Sequence, residues 1–245
     1  MTVLRMRPDL PEAGKSRSYP VLPLLGAVAF PQGTVLLDLD HAASIHAFSC
    51  AMRADGLLLL ANQRRAVDAP PFWVPIQHRP EDEQPSIDNL GKVGTLAKVI
   101  GASRLPQGAR VRLRGLERQQ VMRYTNESDH FSAEATVLTD TITDMRLAEL
   151  LTRDIIAELE KSEINEAKAP GIIAEIKRIN DYSLVADTVA AAVTLKARDK
   201  QRLLEISSVT DRLTWLLALI QAEESLLQTE KRMHVEASRQ MFRIV

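Results

Sequence analysis

Phe131-Ser132-Ala133-Glu134-Ala135-Thr136-Val137-Leu138 gives way, across residues 139–144, to Met145-Arg146-Leu147-Ala148-Glu149-Leu150-Leu151. The first run is short, bounded by turn residues and strand-like. The second opens a pattern in which Leu147, Leu150, Leu151, Ile155 and Leu159 form one helical stripe. The chain therefore changes character near residue 140. Nearly all its proline and glycine precede that point; Pro170 and Gly171 alone follow it. This division predicts an α+β protein, with a β-rich lobe at 19–140, a helical bundle at 141–208 and a long helix at 209–245. Residues 1–18 are polar and are expected to fray.

Working upstream, strands are expected at Tyr19–Leu25, Val35–Leu39, Leu57–Asn62, Gly94–Ile100, Arg110–Arg114 and Gln119–Thr125. They make a mixed sheet of mainly antiparallel neighbours. Leu105-Pro106-Gln107-Gly108 places proline and glycine where a hairpin turn needs them. His41 to Arg53 reads as a helix with Ile45, Phe48, Ser49 and Met52 on one face. The stretch 68–90 is punctuated by Pro70, Pro71, Pro75, Pro80 and Pro85 and reads as a loop.

Working downstream, Pro170 suits the first turn of a helix carrying Ile172, Ile173, Ile176 and Ile179. Leu184–Val193 is small and apolar, hence buried, and Leu195–Ile206 is a short helix. Ser208, with Asp211 three residues on, starts a pattern that runs unbroken from Val209 to about Arg243. Its apolar residues thin out beyond Gln228, so its far end is expected to leave the core.

Composition excludes several classes. Hydrophobic residues make up 45% and charged residues 26%, with a net charge of -1, a balance that points neither to nucleic acid nor to a membrane surface. Cys50 is the only cysteine, so an internal disulfide is impossible and a reducing, cytoplasmic setting is expected. The start, Met1-Thr2-Val3-Leu4-Arg5, has no apolar signal core.

Several stretches, taken in order, carry a resemblance. They are Tyr19-Pro20-Val21-Leu22-Pro23-Leu24, Val93-Gly94-Thr95-Leu96-Ala97-Lys98-Val99, Arg114-Gly115-Leu116-Glu117-Arg118 and His130-Phe131-Ser132-Ala133-Glu134. Later come Leu184-Val185-Ala186-Asp187-Thr188, Asp199-Lys200-Gln201-Arg202-Leu203-Leu204-Glu205 and Leu226-Leu227-Gln228-Thr229-Glu230-Lys231-Arg232. This co-linear set, over about residues 19 to 241, resembles the N-terminal domain of bacterial Lon proteases. The resemblance implies a PUA-like β lobe, a helical bundle and a long helix leading toward an ATPase ring. It also implies capture of unfolded, damaged or degron-bearing proteins and a contribution to assembly with other Lon subunits. It leaves open whether the domain stands alone or heads a longer protease. The loop at 68–90 looks longer than in that family, and the tail Met241-Phe242-Arg243-Ile244-Val245 replaces a charged continuation.

No phosphate-binding G-x-x-x-x-G-K-[ST] string occurs, so no ATPase is expected, and the resemblance places the peptidase in a domain outside this stretch. No cofactor is expected. Among the histidines only His41 and His46 are close in sequence, on different helix faces, so no metal site is expected. Three features carry candidate contacts. The apolar strip Ala27-Val28-Ala29-Phe30-Pro31 with Val35-Leu36-Leu37 offers Phe30, Val35 and Leu37 to clients, against the plainer alternative of core strands. The loop around Phe72, Trp73 and Ile76 offers aromatic contacts in a chain with only 4% aromatics. Leu227, Met233 and Met241 on the long helix are candidate oligomer contacts. A fourth feature, Arg110-Val111-Arg112-Leu113-Arg114, sets its arginines on one strand face. That face reads as solvated, and nucleic acid is not expected because no aromatics interleave for base stacking. A nucleic-acid-binding or adaptor PUA-like module is the alternative function.

Overall fold

The computed structural model of the protein describes residues 15–63, 86–161 and 171–241. Residues 1–14, most of the 68–90 loop with Phe72, Trp73 and Ile76, and Pro170 lie outside the described residues, whereas Arg17 and Ser18, expected to fray, are ordered in the first strand by pairing with Ala135 and Glu134.

The first half holds β1 (Arg17–Leu24), β2 (Thr34–Leu39), α1 (Ala42–Arg53), β3 (Leu57–Asn62), β4 (Val93–Leu105), β5 (Gly108–Asn126) and β6 (Phe131–Val137). A single turn of 3-10 helix, Ile87–Asn89, precedes β4. The strand order is β2-β5-β4-β3-β1-β6, and β6 also pairs with β5. Strands β5, β4, β3, β1 and β6 thus close into a barrel, and β2 runs alongside the outer part of β5. Strands β1 and β3 are parallel and the other pairs antiparallel. A parallel pair needs a crossover, and α1 lies in the connection between them.

The two strands expected at Arg110–Arg114 and Gln119–Thr125 are one continuous strand, β5. The interruption is a bulge. Leu96 faces Glu117 and Ala97 faces Gly115, which leaves Leu116 as the extra residue. Gly115 is there because the backbone of Phe30 comes so close that a Cβ would sit 2.2 Å from its carbonyl oxygen. The hairpin end of β4 and β5 also extends further than the pattern suggests. Gly108 closes it at φ +107, where a Cβ would meet the Leu39 carbonyl oxygen at 1.8 Å. Helix α1 packs through Ala47 and Ala51, with Ile45 and Phe48 half-buried, whereas Met52 is 52% exposed. The alanines let the helix come close to the sheet, which turns Met52 outward.

The second half contains α2 (Met145–Lys161), α3 (Ile172–Ile176), α4 (Tyr182–Ala192), α5 (Ala197–Glu205) and α6 (Val209–Met241). Helices α2 and α6 start side by side and run parallel. Thr141 and Ser208 form a parallel bridge just before them, and Val209 N–H donates to Thr141 O at 2.8 Å. Ser208 Oγ accepts from Asp211 N–H as the N-cap arrangement predicts. The stripe on α2 differs from expectation. Ala148, Leu151, Ile155 and Leu159 are buried against Leu213, Leu216 and Ile220, while Leu147 and Leu150 are 41% and 54% exposed. The small Ala148 supplies the missing position of an i, i+3, i+7 spacing and sets the helix closer, rotating the two leucines to solvent. At 33 residues α6 is roughly 50 Å long. Its last buried side chain among those described is Ile220; Leu226 and Met233 are exposed.

The halves do not meet at a thin seam. Phe30 and Val93 from the β side are part of the same buried cluster as α2, α4, α5 and α6.

Candidate functional site

The apolar strip before β2 is divided by the fold. The turn at Pro31 and Gln32, with Gln32 at φ 61, swings Phe30 into the helical core, where it is 1% exposed. Thr95 Oγ1 donates to Ala29 O at 2.7 Å and fixes the approach. Phe30 is therefore a core residue, and its expected role as a client contact is corrected. Val35 and Leu37 lie further on, half-buried against the cluster that includes Leu39, Ala47, Ala51, Val111 and Leu113, and Leu36 between them is 56% exposed.

Behind this strip the lobes are joined by charge. Arg118 of β5 and Arg212 of α6 are 3% and 0% exposed, and Asp187 of α4 is 1% exposed. Arg118 binds Asp187 through both terminal nitrogens, with Nη1 to Oδ2 at 2.7 Å, and its Nε donates to Leu204 O at 3.1 Å. Arg212 donates to Ile206 O through Nε at 3.0 Å and Nη2 at 2.7 Å, to Asp187 Oδ1 at 3.3 Å and to Asp140. Ser183 Oγ completes the set by donating to Asp140. Two guanidiniums meet two carboxylates, so the buried charge is balanced, and carbonyls take the remaining N–H groups. Burial pushes the Asp140 carboxyl up, but hydrogen bonds from Arg212 and Ser183 and the two guanidiniums more than offset it, leaving it below the usual carboxylate range. A cleft of about 660 Å³ opens above this cluster, between Pro31, Gln32 and Arg114 on one side and Asp181, Ser183 and Leu184 on the other.

A second cleft, of about 600 Å³, lies at the start of α1 against the β5–β6 hairpin. Asp129 bridges His46 Nδ1 at 2.9 Å and His130 Nδ1 at 2.6 Å. Hydrogen bonds from His130 and then His46 lower its pKa. No local pattern marks this trio, since 83 residues separate its helix member from the hairpin. Among the described residues no group of three His, Cys, Asp or Glu is placed to hold a metal ion.

The arginines of β5 are placed as the alternation predicts. Arg110, Arg112 and Arg114 are exposed, with Val111 and Leu113 buried between them. Arg110 is held by Asp38 at 2.6 Å and Arg114 donates to Gln32 Oε1 at 3.0 Å. Of the candidate contacts on α6, Met233 is 61% exposed; the side chains of Leu227 and Met241 lie outside the description. Among the described residues no helix is long and apolar enough to cross a membrane.

The chain is similar to known proteins. The family described as the ATP-dependent protease La (LON) substrate-binding domain matches residues 18–222. A Lon protease of Azorhizobium caulinodans is 36% identical over 243 residues, covering 98% of this chain and 27% of that protein. A Lon protease of Escherichia coli is 32% identical over 233 residues, covering 94% of this chain and 28% of that protein. The chain thus spans about a quarter of the length of these relatives. The N-terminal domain of a Mycobacterium avium complex Lon protease superposes with a TM-score of 0.62 at 25% identity, over 84% of this chain and 98% of that one. A Lon N-terminal domain protein from Xanthomonas campestris, at 17% identity and a TM-score of 0.53, shares the fold.

Proposed function

The chain belongs to the Lon substrate-binding domain family, and on that premise we propose that it recognises unfolded or degron-bearing proteins for an ATP-dependent Lon-type protease without catalysing a reaction itself. The observation that carries this reading is the joint between the lobes. A client held on the β lobe is tied through Arg118, Asp187 and Arg212 to α6, whose far end extends beyond the core. The two ends are thereby joined through buried, charge-paired contacts. Val35 and Leu37 are the described members of the proposed client contacts; Phe72, Trp73 and Ile76, the others proposed, lie outside the described residues. Recognition of this kind desolvates apolar side chains and accepts many sequences.

The test compares a permanently unfolded client, such as reduced and carboxymethylated lactalbumin, with its folded form. The unfolded form binds and the folded form does not; equal binding of both, or of neither, overturns the reading. Replacing Phe72 and Trp73 together by serine lowers client binding while Tm stays within a few degrees, as for surface changes. A collapse of Tm would make them core residues instead.

The outer half of α6 also contributes to assembly with other Lon subunits, through Leu227, Met233 and Met241. Isolated helices are marginal in water and gain stability by packing an apolar face, and Met233 is exposed with no described partner. Sedimentation velocity checks this: the chain self-associates with rising concentration, and Met233→Asp weakens the association. Monomeric behaviour throughout would exclude that role.

A further inference from the structure

The outer edge of β2 is a strand that pairs on one side only. Its register with β5 sets Thr34 opposite Arg114, Leu36 opposite Arg112 and Asp38 opposite Arg110. Among the described residues no strand pairs with its other edge. The hydrogen-bond phase is fixed at the entrance, where Gly115 N–H donates to Gly33 O at 2.9 Å. Antiparallel pairs alternate between bonded and non-bonded residues. Gly33, Val35, Leu37 and Leu39 are therefore the residues that bond to β5. Thr34, Leu36 and Asp38 turn their N–H and C=O groups outward, to the open side.

Side chains sort by the same alternation. Val35 and Leu37 face inward, half-buried against the cluster that holds Leu39, Ala47, Ala51, Val111 and Leu113. On the outer face Leu36 is exposed, and the next strand presents Arg110, Arg112 and Arg114. Asp38 occupies Arg110. Arg112 and Arg114 have no carboxylate partner among the described residues, so the face is left with uncompensated positive charge.

Resting on the substrate-recognition reading above, we propose that β2 captures clients by strand addition, taking an extended segment in which apolar residues alternate with acidic ones. The backbone of the client bonds to the outward groups of Thr34, Leu36 and Asp38. Its inward side chains extend the apolar layer of Val35 and Leu37, and its outward carboxylates reach Arg112 and Arg114 across the Leu36 row. Main-chain bonds supply affinity that any sequence can use, and the alternating side chains supply preference. A folded protein has already paired those backbone groups, so the same edge discriminates unfolded from folded chains. Nucleic acid fits less well: the face offers arginines but no aromatic ring for stacking.

The experiment uses anisotropy of short labelled peptides: alternating Val and Glu, alternating Val and Lys, and a single-stranded oligonucleotide of similar length. The acidic peptide binds best. Leu36→Pro removes one outward N–H and leaves the β5 ladder bonds in place, because edge strands tolerate proline where the N–H faces solvent. It weakens acidic-peptide binding by about tenfold or more, the equivalent of one lost backbone bond to a desolvated partner. Arg112→Glu reverses the preference toward the basic peptide and serves as the decisive variant if Leu36→Pro proves unstable. An unchanged preference in Arg112→Glu, unchanged affinity in a folded Leu36→Pro, or tighter binding of the oligonucleotide than of the peptide overturns the proposal. If the wild-type chain and Leu36→Pro take the carboxymethylated client equally well, strand addition fails while client recognition stands. If the wild-type chain takes no unfolded client at all, both fail.

Discussion

Arg112 and Arg118 lie on one strand, six positions apart, and have opposite surroundings. Arg112 is exposed beside an open sheet edge. Arg118 is 3% exposed and grips Asp187 with both arms. The bulge at Leu116 breaks the alternation between them and sets them on opposite faces, so different elements are laid against each. The outer half of β5 lies between β2 and β4, and its arginine face is open to solvent. The inner half is covered by α4, α5 and the start of α6, which bring Asp187, the Leu204 carbonyl and Arg212. One arginine is committed to holding two lobes together, and the other is left for a partner. The same residue type is structural where its charge is met within the chain and available for recognition where it is not.

The sharpest way to break this comparison is to remove one member of the buried set. Arg212→Met leaves the single guanidinium of Arg118 to face both Asp140 and the buried Asp187, so one negative charge in the cluster is no longer balanced. Disrupting a buried pair in this way costs about 3–5 kcal/mol, read as a drop in the midpoint of urea unfolding. A double replacement, Arg118→Met with Asp187→Leu, removes both charges of a bidentate pair, leaves Arg212 paired with Asp140 and costs much less than Arg212→Met. If the double variant is as unstable as Arg212→Met, the cluster is doing more than balancing its own charge.

Acid probes the same cluster more gently. Because Asp140 is held below its unfolded value, its contribution is complete above the ordinary carboxylate pKa of about 3.9 and is lost as pH falls through the lower folded value. Stability should therefore decline on acidification through and below that range. Asp140→Asn should flatten that decline. An unchanged acid profile in Asp140→Asn would remove Asp140 from the argument.

Phe30 ranks next. Phe30→Leu conserves apolar character and most of the volume, so a loss of about 1 kcal/mol is expected, with client affinity unchanged once the fraction folded is accounted for. Lost affinity at full stability would return Phe30 to the client surface.

These cases also show what was legible in the sequence. The β-to-α change near residue 140, the long α6 and the shared face of Arg110, Arg112 and Arg114 follow from local periodicity, which the chain states directly. The misread positions depend on partners distant in sequence. Leu147 and Leu150 satisfy the helical stripe, but Ala148 allows α2 to sit closer to α6 and turns the leucines outward. Phe30 reads as part of a strand-like strip until Gly115, more than eighty residues away, lets its backbone approach β5. The buried ionic cluster was out of reach for the same reason. Arg118, Asp140, Asp187 and Arg212 sit in four separate segments, and no local pattern marks an arginine that will lose its water.

The smallest expected effect closes the comparison. Arg112→Ala removes a charge with no carboxylate partner among the described residues, at a surface where substitutions usually fall within about 0.5 kcal/mol. Its stability should therefore match wild type by urea unfolding, in contrast to any single change at Arg118 or Arg212. A measurable stabilisation would also be informative, because Arg112 stands between Arg110 and Arg114 on one face, and like charges that close repel. Removing it relieves that repulsion in the free protein and removes the attraction for an acidic segment in the bound one. The two effects have opposite signs for stability and for binding. A variant that is as stable as wild type or slightly more so, and that binds the acidic peptide less well, would show that this part of β5 tolerates charge crowding in the free state because a partner relieves it. A destabilised Arg112→Ala would instead mean that the outer half of β5 is held together from within, like the inner half, and that the contrast between the two arginines is only one of exposure.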